Sequence, residues 1–357
     1  MNDNMKKYKP DWLEAKQRME DWWAGKKTDR VVASVTAPVR AGETPVYIND
    51  TPEKYIDAKT VFHNLDRQLN HTFWGGEGFP YHFLYYGPMF QNSVYFGAEP
   101  IFADNTTWYD PCFNNLDEII AYEPDPANNK WWQASLEMTR RSVERSGGGY
   151  LVTHSGVLAV IDILAILIGN EQLLCAMADE PEKVVKARDA ILKHTAPSYD
   201  ASYDIIGDLA IDSLGVWAPG KTGTNQCDLC VMISPDMFDR FVYEDLKVFY
   251  DYMDYGVYHL DGEEEIKHLD SLLTLKKMHM IQWVPSARVN DPDYADPLNW
   301  IGLFRRIQDT GRRVLIYTPY HRVKELLNKI DRSLVFLNVG CPDAETAHQV
   351  LKDLEYK

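Results

Sequence analysis

From about residue 150 onward the chain alternates short β-branched apolar runs with segments of helical period, and no other feature constrains its fold as tightly. The runs read GYLVTHSG, AIDSLGVW, GVYHLD, MIQWV, RVLIYT and LVFLNVG. Between them lie segments such as SPDMFDRFVYEDLKVFYDYM, where Ser234 is placed to cap a helix and Pro235 to open it, and DPLNWIGLFRRIQDTG. Repeated βα units of this length predict a parallel sheet, because parallel strands need a long crossover and a helix supplies it. An open doubly wound sheet and a closed barrel both satisfy the alternation. No G-x-G-x-x-G turn follows any strand, which favours an α/β (β/α)8 TIM barrel.

The 357 residues fit one such barrel, a single domain over 1–357, and no repeat, low-complexity tract or Gly/Ser linker marks a boundary. N-terminal additions precede it. In DWLEAKQRMEDWWAG, Trp12, Met19 and Trp22 or Trp23 recur at helical spacing and Gly25 is placed to close the helix; the strand RVVASVTAP follows. The stretch 70–130, rich in Trp, Tyr, Asn and Gly, has little periodicity and is expected to form loops and short helices over one end.

Lys and Arg number 37 against 53 Asp and Glu, a net charge of −16 with no polybasic run, so nucleic acid and anionic membrane are poor partners. VLAVIDILAILIG is too short to span a bilayer and reads as a buried helix, and the N-terminus lacks a signal-peptide core. Five cysteines, an odd count, fit a reducing cytoplasm.

In a barrel of this kind the residues just past each strand's C-terminal end converge on one mouth. Those positions here hold His154 and Ser155, Trp217, Cys227, Asp228 and Cys230, His259 and Asp261, Gln282 and Trp283, Tyr317 and His321, and Cys341. His259 and Asp261, two apart on an extended segment, point to one side and are both metal-ligand types. The plainer alternative is a turn at Asp261 and Gly262 with His259 as a hydrogen-bonded core residue. Glu263, Glu264 and Glu265 read as the acidic, solvated first turn of a helix. Cys341 stands next to a helix N-terminus, where a thiolate is stabilised, against the alternative of an inert buried thiol. Cys227 and Cys230 have C-x-x-C spacing without a second pair, a weak zinc or redox signal. His268 and Asp270 are candidates to orient His259, or ordinary surface groups. Trp74, Tyr86 and Trp108 either line a pocket or pack the core.

With these residues in place, GKKTDRVVASV, SPDMFDRFVYEDLK, YHLDG and NVGCPDAETAHQVLKDL resemble the uroporphyrinogen decarboxylase superfamily over nearly the whole chain. That superfamily holds true decarboxylases and corrinoid-dependent methyltransferases. The decarboxylases carry an arginine-rich clamp after the first strand; the corresponding SVTAPVRAGET has Arg40 alone, so the resemblance points to the methyltransferase branch. Its wording is most similar to the group called trimethylamine corrinoid protein-like. That branch binds zinc through His-x-Cys and a distant Cys, so the resemblance implies His259 and Cys341 as ligands, with Asp261 replacing the middle cysteine. It implies a corrinoid (cobalamin) on a partner protein and a small-molecule methyl donor or acceptor. Asp228, Asp261, Gln282 and Tyr317 are then the expected catalytic or orienting groups, with Trp217 and Trp283 toward the cofactor. A metal-free lyase or sugar-active hydrolase using Asp228 and Asp261, and a non-catalytic corrinoid or metabolite carrier, are the alternative readings.

Overall fold

The structure, a computed structural model, describes residues 3–43, 45–84, 90–154, 157–286 and 292–356. In chain order its strands are β1 Ala33–Pro38, β2 Thr72–Gly76, β3 Tyr81–His82, β4 Pro100–Phe102, β5 Thr107–Tyr109, β6 Leu151–Thr153 and β7 Val157–Leu158. They continue with β8 Ala210–Ile211, β9 Thr222–Gln226, β10 Tyr255–Asp261, β11 Met278–Val284, β12 Arg313–Tyr317 and β13 Val335–Gly340. Eight form one sheet in the order β2-β1-β13-β12-β11-β10-β9-β7, parallel except where β2 runs against β1. A second sheet, β3-β6-β8, is wholly parallel, and β4 and β5 form a small hairpin. The molecule is therefore an α/β fold with crossover helices between consecutive parallel strands.

Side chains of the parallel strands are buried on both faces, as such a sheet requires. On one face Leu260, Ile281, Trp283, Val314, Ile316, Leu337 and Val339 meet helix residues including Leu246, Phe304, Ile307, Leu326 and Val350. On the other, Val32, Phe79, Leu151, Ile211, Val257, Met280, Leu315 and Phe336 close into one apolar cluster drawn from both sheets. Each such side chain contributes about 1.5–3 kcal/mol by leaving water.

The helix Trp12–Trp23 completes that cluster from below. Trp12, Ala15, Met19, Trp22 and Trp23 all lie on its buried face, and it stops at Ala24 before Gly25, whose φ is 70°. The Trp22 indole donates to the Ser333 carbonyl at 2.8 Å, and the Arg313 guanidinium donates to the Trp22 and Trp23 carbonyls at 2.7 and 3.0 Å. These contacts satisfy carbonyls that a helix end leaves open and place the helix at the strands' N-terminal ends. Beside it the fully buried Glu77 accepts from Arg18 (2.8 Å), Arg30 (3.0 Å) and the Ala33 amide (2.8 Å). The chain reaches Glu77 through Gly76, where a Cβ would lie 2.1 Å from the Ala33 carbonyl oxygen.

Ser234 caps the helix Pro235–Phe241 as its sequence predicts, and VLAVIDILAILIG forms the buried helix Val160–Ile168. Among the described residues no single helix is long and apolar enough to cross a membrane. The triple glutamate departs from expectation. It opens a 3-10 helix, Glu263–His268, and Glu265 is buried at 1% exposure, turned in beneath β10 where its Oε2 accepts from the Tyr258 hydroxyl at 3.4 Å.

Candidate functional site

Two residues beyond the apolar cluster, on the same inward face, the strands become polar. Val257 is followed by His259, Met280 by Gln282, Leu315 by Tyr317, Phe336 by Asn338 and Val32 by Ser34. The register carries this polar layer in two parts, His259 with Gln282, then Tyr317 with Asn338 and Asn338 with Ser34; between them Gln282 pairs with Leu315, so the layer steps by two residues from β11 to β12. With a helix plugging the opposite end, the layer lies toward the C-terminal ends of the strands, where the open connections are.

His259 is held there in one orientation. Its Nδ1–H donates to Gln282 Oε1, which leaves Nε2 toward Asp261 Oδ2 at 3.8 Å. Burial alone would lower the imidazole's pKa; the hydrogen-bonded Asp261 and Gln282, and the Asp228 charge, outweigh it and raise it. The chain turns at Gly262, whose amide donates to the Val284 carbonyl at 2.8 Å, so Asp261 both ends β10 and faces His259. Asp228 follows β9. Gln226 Nε2 donates to its Oδ1 at 2.9 Å, and burial raises its pKa against the pull of His259.

Sequence reasoning missed the residue that sets Asp228's backbone. Asp162, 3% exposed on the helix Val160–Ile168, accepts from the amides of Asp228 (2.8 Å) and Leu229 (2.9 Å). Its signal in the sequence was a single carboxylate inside an otherwise apolar helix. A cavity of about 480 Å³ opens beside it, lined by Trp108, Tyr109, Asp162, Asp228 and Met232 among others. The aromatic segment therefore does reach Asp228, through Trp108 on the β4–β5 hairpin. Trp74 instead packs in the core against Tyr81, and Tyr86 lies outside the described residues.

A second group gathers around Tyr317. Burial, with Tyr81 and Asp212 nearby, pushes its phenol up to about 12. Asp212 is fully buried, and His154, 1% exposed, packs edge-on against Tyr199 with ring centres 5.0 Å apart. Ser155, the neighbour of His154, lies outside the described residues.

Other expected residues are not brought to this layer. Trp217 lies in the plug, with its carbonyl accepting from the Trp23 indole at 3.0 Å, because β8 ends at Ile211 and the Asp212–Val216 turn sends the chain back before β9. Trp283 alternates with Gln282 and so points outward, onto Trp300 with ring centres 4.7 Å apart. His268 Nε2 meets the Cys230 carbonyl at 2.9 Å, and the exposed Asp270 pairs with Arg306; neither orients His259. His321 lies among exterior residues including Lys324 and Glu345. Cys227 and Cys230 are buried on the turn carrying Asp228, where the Cys227 thiol donates to Asp162 Oδ1 at 3.9 Å.

Cys341 departs from the expected stabilised thiolate. The helix beyond it runs Ala344–Asp353 and is capped by Asp343, whose carboxylate accepts from the Thr346 amide at 2.7 Å. The capping anion occupies the helix end, and burial together with that charge pushes the Cys341 thiol up to about 11. Among the described residues no three His, Cys, Asp or Glu side chains group closely enough to hold a metal. His259 and Asp261 supply two ligand types on one side; Cys341 does not join them, so the residues do not fit a three-ligand zinc site in this arrangement.

No family model matches the sequence, and no curated protein matches it. A solved structure does: a methyltransferase from Methanosarcina mazei superposes with a TM-score of 0.62 at 14% identity, over 95% of this chain and 97% of that one. At that identity the likeness shows a shared α/β fold.

Proposed function

We propose that this chain is a methyltransferase of the uroporphyrinogen decarboxylase superfamily, moving a methyl group between a small methylated substrate and a corrinoid on a partner protein. Its fold is read as a closed (β/α)8 barrel in one domain. Support for the barrel comes from the apolar cluster, which takes inward residues from strands of both sheets and has a helix across one end. Support for methyl transfer comes from the full-length likeness in fold to a methyltransferase and from the motifs that resemble that branch. The observation that carries the site is His259, pinned through Nδ1 by Gln282 with Nε2 turned toward Asp261 in the polar layer.

The corrinoid, when its carrier docks, supplies a cobalt that can take or give the methyl group. The chain's own groups handle the proton. With its pKa raised, the His259 imidazolium can give its Nε2 proton to an amine, alkoxide or thiolate leaving the methyl carbon, while Asp261 and Asp228 stabilise the cation. In the reverse direction the neutral ring takes the proton of an acceptor thiol. No step is assigned to zinc, since its third ligand stands apart.

A screen of methylated amines, methoxyaromatics and methyl thioethers against reduced cobalamin, read by methylcobalamin absorbance, tests the proposal. Methylation by wild type and its loss in His259→Ala are expected; no methylation from any donor refutes it. Elemental analysis of the same preparations decides the metal: near-stoichiometric zinc lost in both His259→Ala and Cys341→Ala would bring Cys341 to the centre. The metal-free hydrolase reading is favoured by the Asp261 charge, which after burial helps raise the Asp228 pKa, and glycoside turnover without cobalamin would select it.

A further inference from the structure

Asp212 is the buried carboxyl that the proposed chemistry leaves unused. It follows β8 and opens a tight turn, with its Oδ1 accepting from the Leu214 amide and from Thr224 Oγ1, both at 2.8 Å. Thr224 pairs with Val257 in the register, which puts it on the inward face, and Asp212 with it. The turn is satisfied by Oδ1 alone. Oδ2 is sealed from solvent and has no hydrogen-bond partner among the described residues. Buried polar atoms in folded proteins are nearly always paired, and leaving one bare is costly. A bare carboxylate oxygen on the inward face therefore marks a place where a donor from outside the chain belongs.

Its surroundings narrow that donor's chemistry. Tyr81 from β3 and Tyr317 from β12 lie within reach of the Asp212 charge, and Tyr317 is 46% exposed toward the open end of the layer. Carboxylate plus phenol rings is a combination that binds alkylammonium groups, through ion pairing and cation–π attraction. A net charge of −16 also favours cationic ligands.

We propose that Asp212 anchors the ammonium group of a small organic cation, held against Tyr81 and Tyr317 with the rest of the molecule extending toward His259 and Asp261. This rests on the proposed methyl-transfer site and names its substrate class. A second consequence follows from burial, which raises the Asp212 pKa in the empty protein. A bound cation lowers it again, so binding releases a proton in the pH range where the empty site holds one. The titratable groups facing Asp212 are His154 beyond β6, Tyr81, Tyr317, Tyr199 on the helix Thr195–Ile206 and Tyr250 on the helix Tyr243–Tyr252. Of these side-chain types, only histidine ordinarily titrates near neutrality.

The test is calorimetric titration of the full chain with methylammonium, dimethylammonium and trimethylammonium, and with tert-butanol as the uncharged isostere. Two buffers of different ionisation enthalpy report the proton. Expected are binding of at least one ammonium but not of tert-butanol, and proton release that persists in His154→Gln. Asp212→Asn should weaken binding by roughly tenfold or more and abolish the release. Absence of ammonium binding, equal binding of tert-butanol, or unchanged binding in Asp212→Asn overturns the proposal. Should Asp212→Asn fail to fold, Tyr317→Leu substitutes, and unchanged ammonium affinity in that variant is equally fatal. Ammonium binding without methyl transfer refutes the reaction and keeps the anchor. Methyl transfer from ethers or thioethers without ammonium binding does the reverse.

Discussion

Replacing Glu265 by glutamine is expected to stabilise the protein, by an amount set by pH. Glu265 is 1% exposed; burial, and next the charge of Cys230, push its carboxyl from 4.5 up to about 11, against a hydrogen bond from the Asp261 amide. The folded protein therefore keeps this proton at pH 7 while the unfolded chain has released it. The sign is fixed: the folded state binds more protons, so this group's contribution to stability is full below the unfolded pKa and is lost as pH rises through the folded one. At pH 7 the loss is about 3 kcal/mol, from the interval above 4.5 at roughly 1.4 kcal/mol per unit, and it holds for any folded pKa well above 7. Glutamine keeps an oxygen for the Asp261 amide but adds an NH2 group needing a partner, which costs about 1 kcal/mol. Glu265→Gln should thus gain about 2–3 kcal/mol at pH 7, more at pH 9 and little at pH 5. Urea unfolding of both proteins at the three pH values, followed by tryptophan fluorescence and circular dichroism, measures it. Other buried acids, such as Asp245 at about 8, tilt both curves alike and cancel in the difference. A gap that does not widen with pH, or a variant less stable at pH 9, refutes the reasoning.

Gln282→Leu removes the acceptor that stabilises protonated His259, so the imidazole's titration, followed by NMR or by the pH profile of activity, should move to lower pH; an unmoved profile would mean that Asp261 alone sets it. Leu315→Ala opens a cavity in the fully buried apolar cluster and should cost about 2–5 kcal/mol in urea unfolding at unchanged slope; a much smaller loss would show the cluster loosely packed. A thiol reagent near pH 8 should modify the exposed Cys112 and Cys175 first and Cys341 slowly, because its thiol is buried with a pKa of about 11; fast labelling lost in Cys341→Ala would contradict that environment.

Period and punctuation made much of the architecture legible. The βα alternation gave the parallel sheet, Trp12, Met19, Trp22 and Trp23 gave the plug helix, and Ser234 and Pro235 gave a helix start that the structure reproduces. Strand-end positions led to His259, Asp261, Gln282, Asp228 and Tyr317, all of which lie in or beside the polar layer. The errors came from features that period does not encode. Trp283 follows Gln282, and only the facing side of the strand separates an inward residue from an outward one. Trp217 looked like a strand end because the turn at Asp212–Val216 reverses the chain within apolar sequence. Cys341 looked like a helix-start thiol, whereas the cap lies two residues on, at Asp343. Asp162 and Asp212 were overlooked because an isolated acid in an apolar segment acquires meaning only from what tertiary structure packs beside it.

The docking of the helix Trp12–Trp23 also orders events during synthesis. Its tryptophans are made well before the groups that receive them: Arg313 on β12 and Ser333 just ahead of β13 lie 291 and 311 residues after Trp22, and Phe336 follows on β13. A nascent chain must carry this apolar helix without its binding surface until those segments have emerged. Closure of the bottom is therefore a late folding step with long loops to bring together. Chains truncated before residue 313 would display the tryptophan face to solvent, which makes this helix the natural contact for chaperones and a starting point for aggregation.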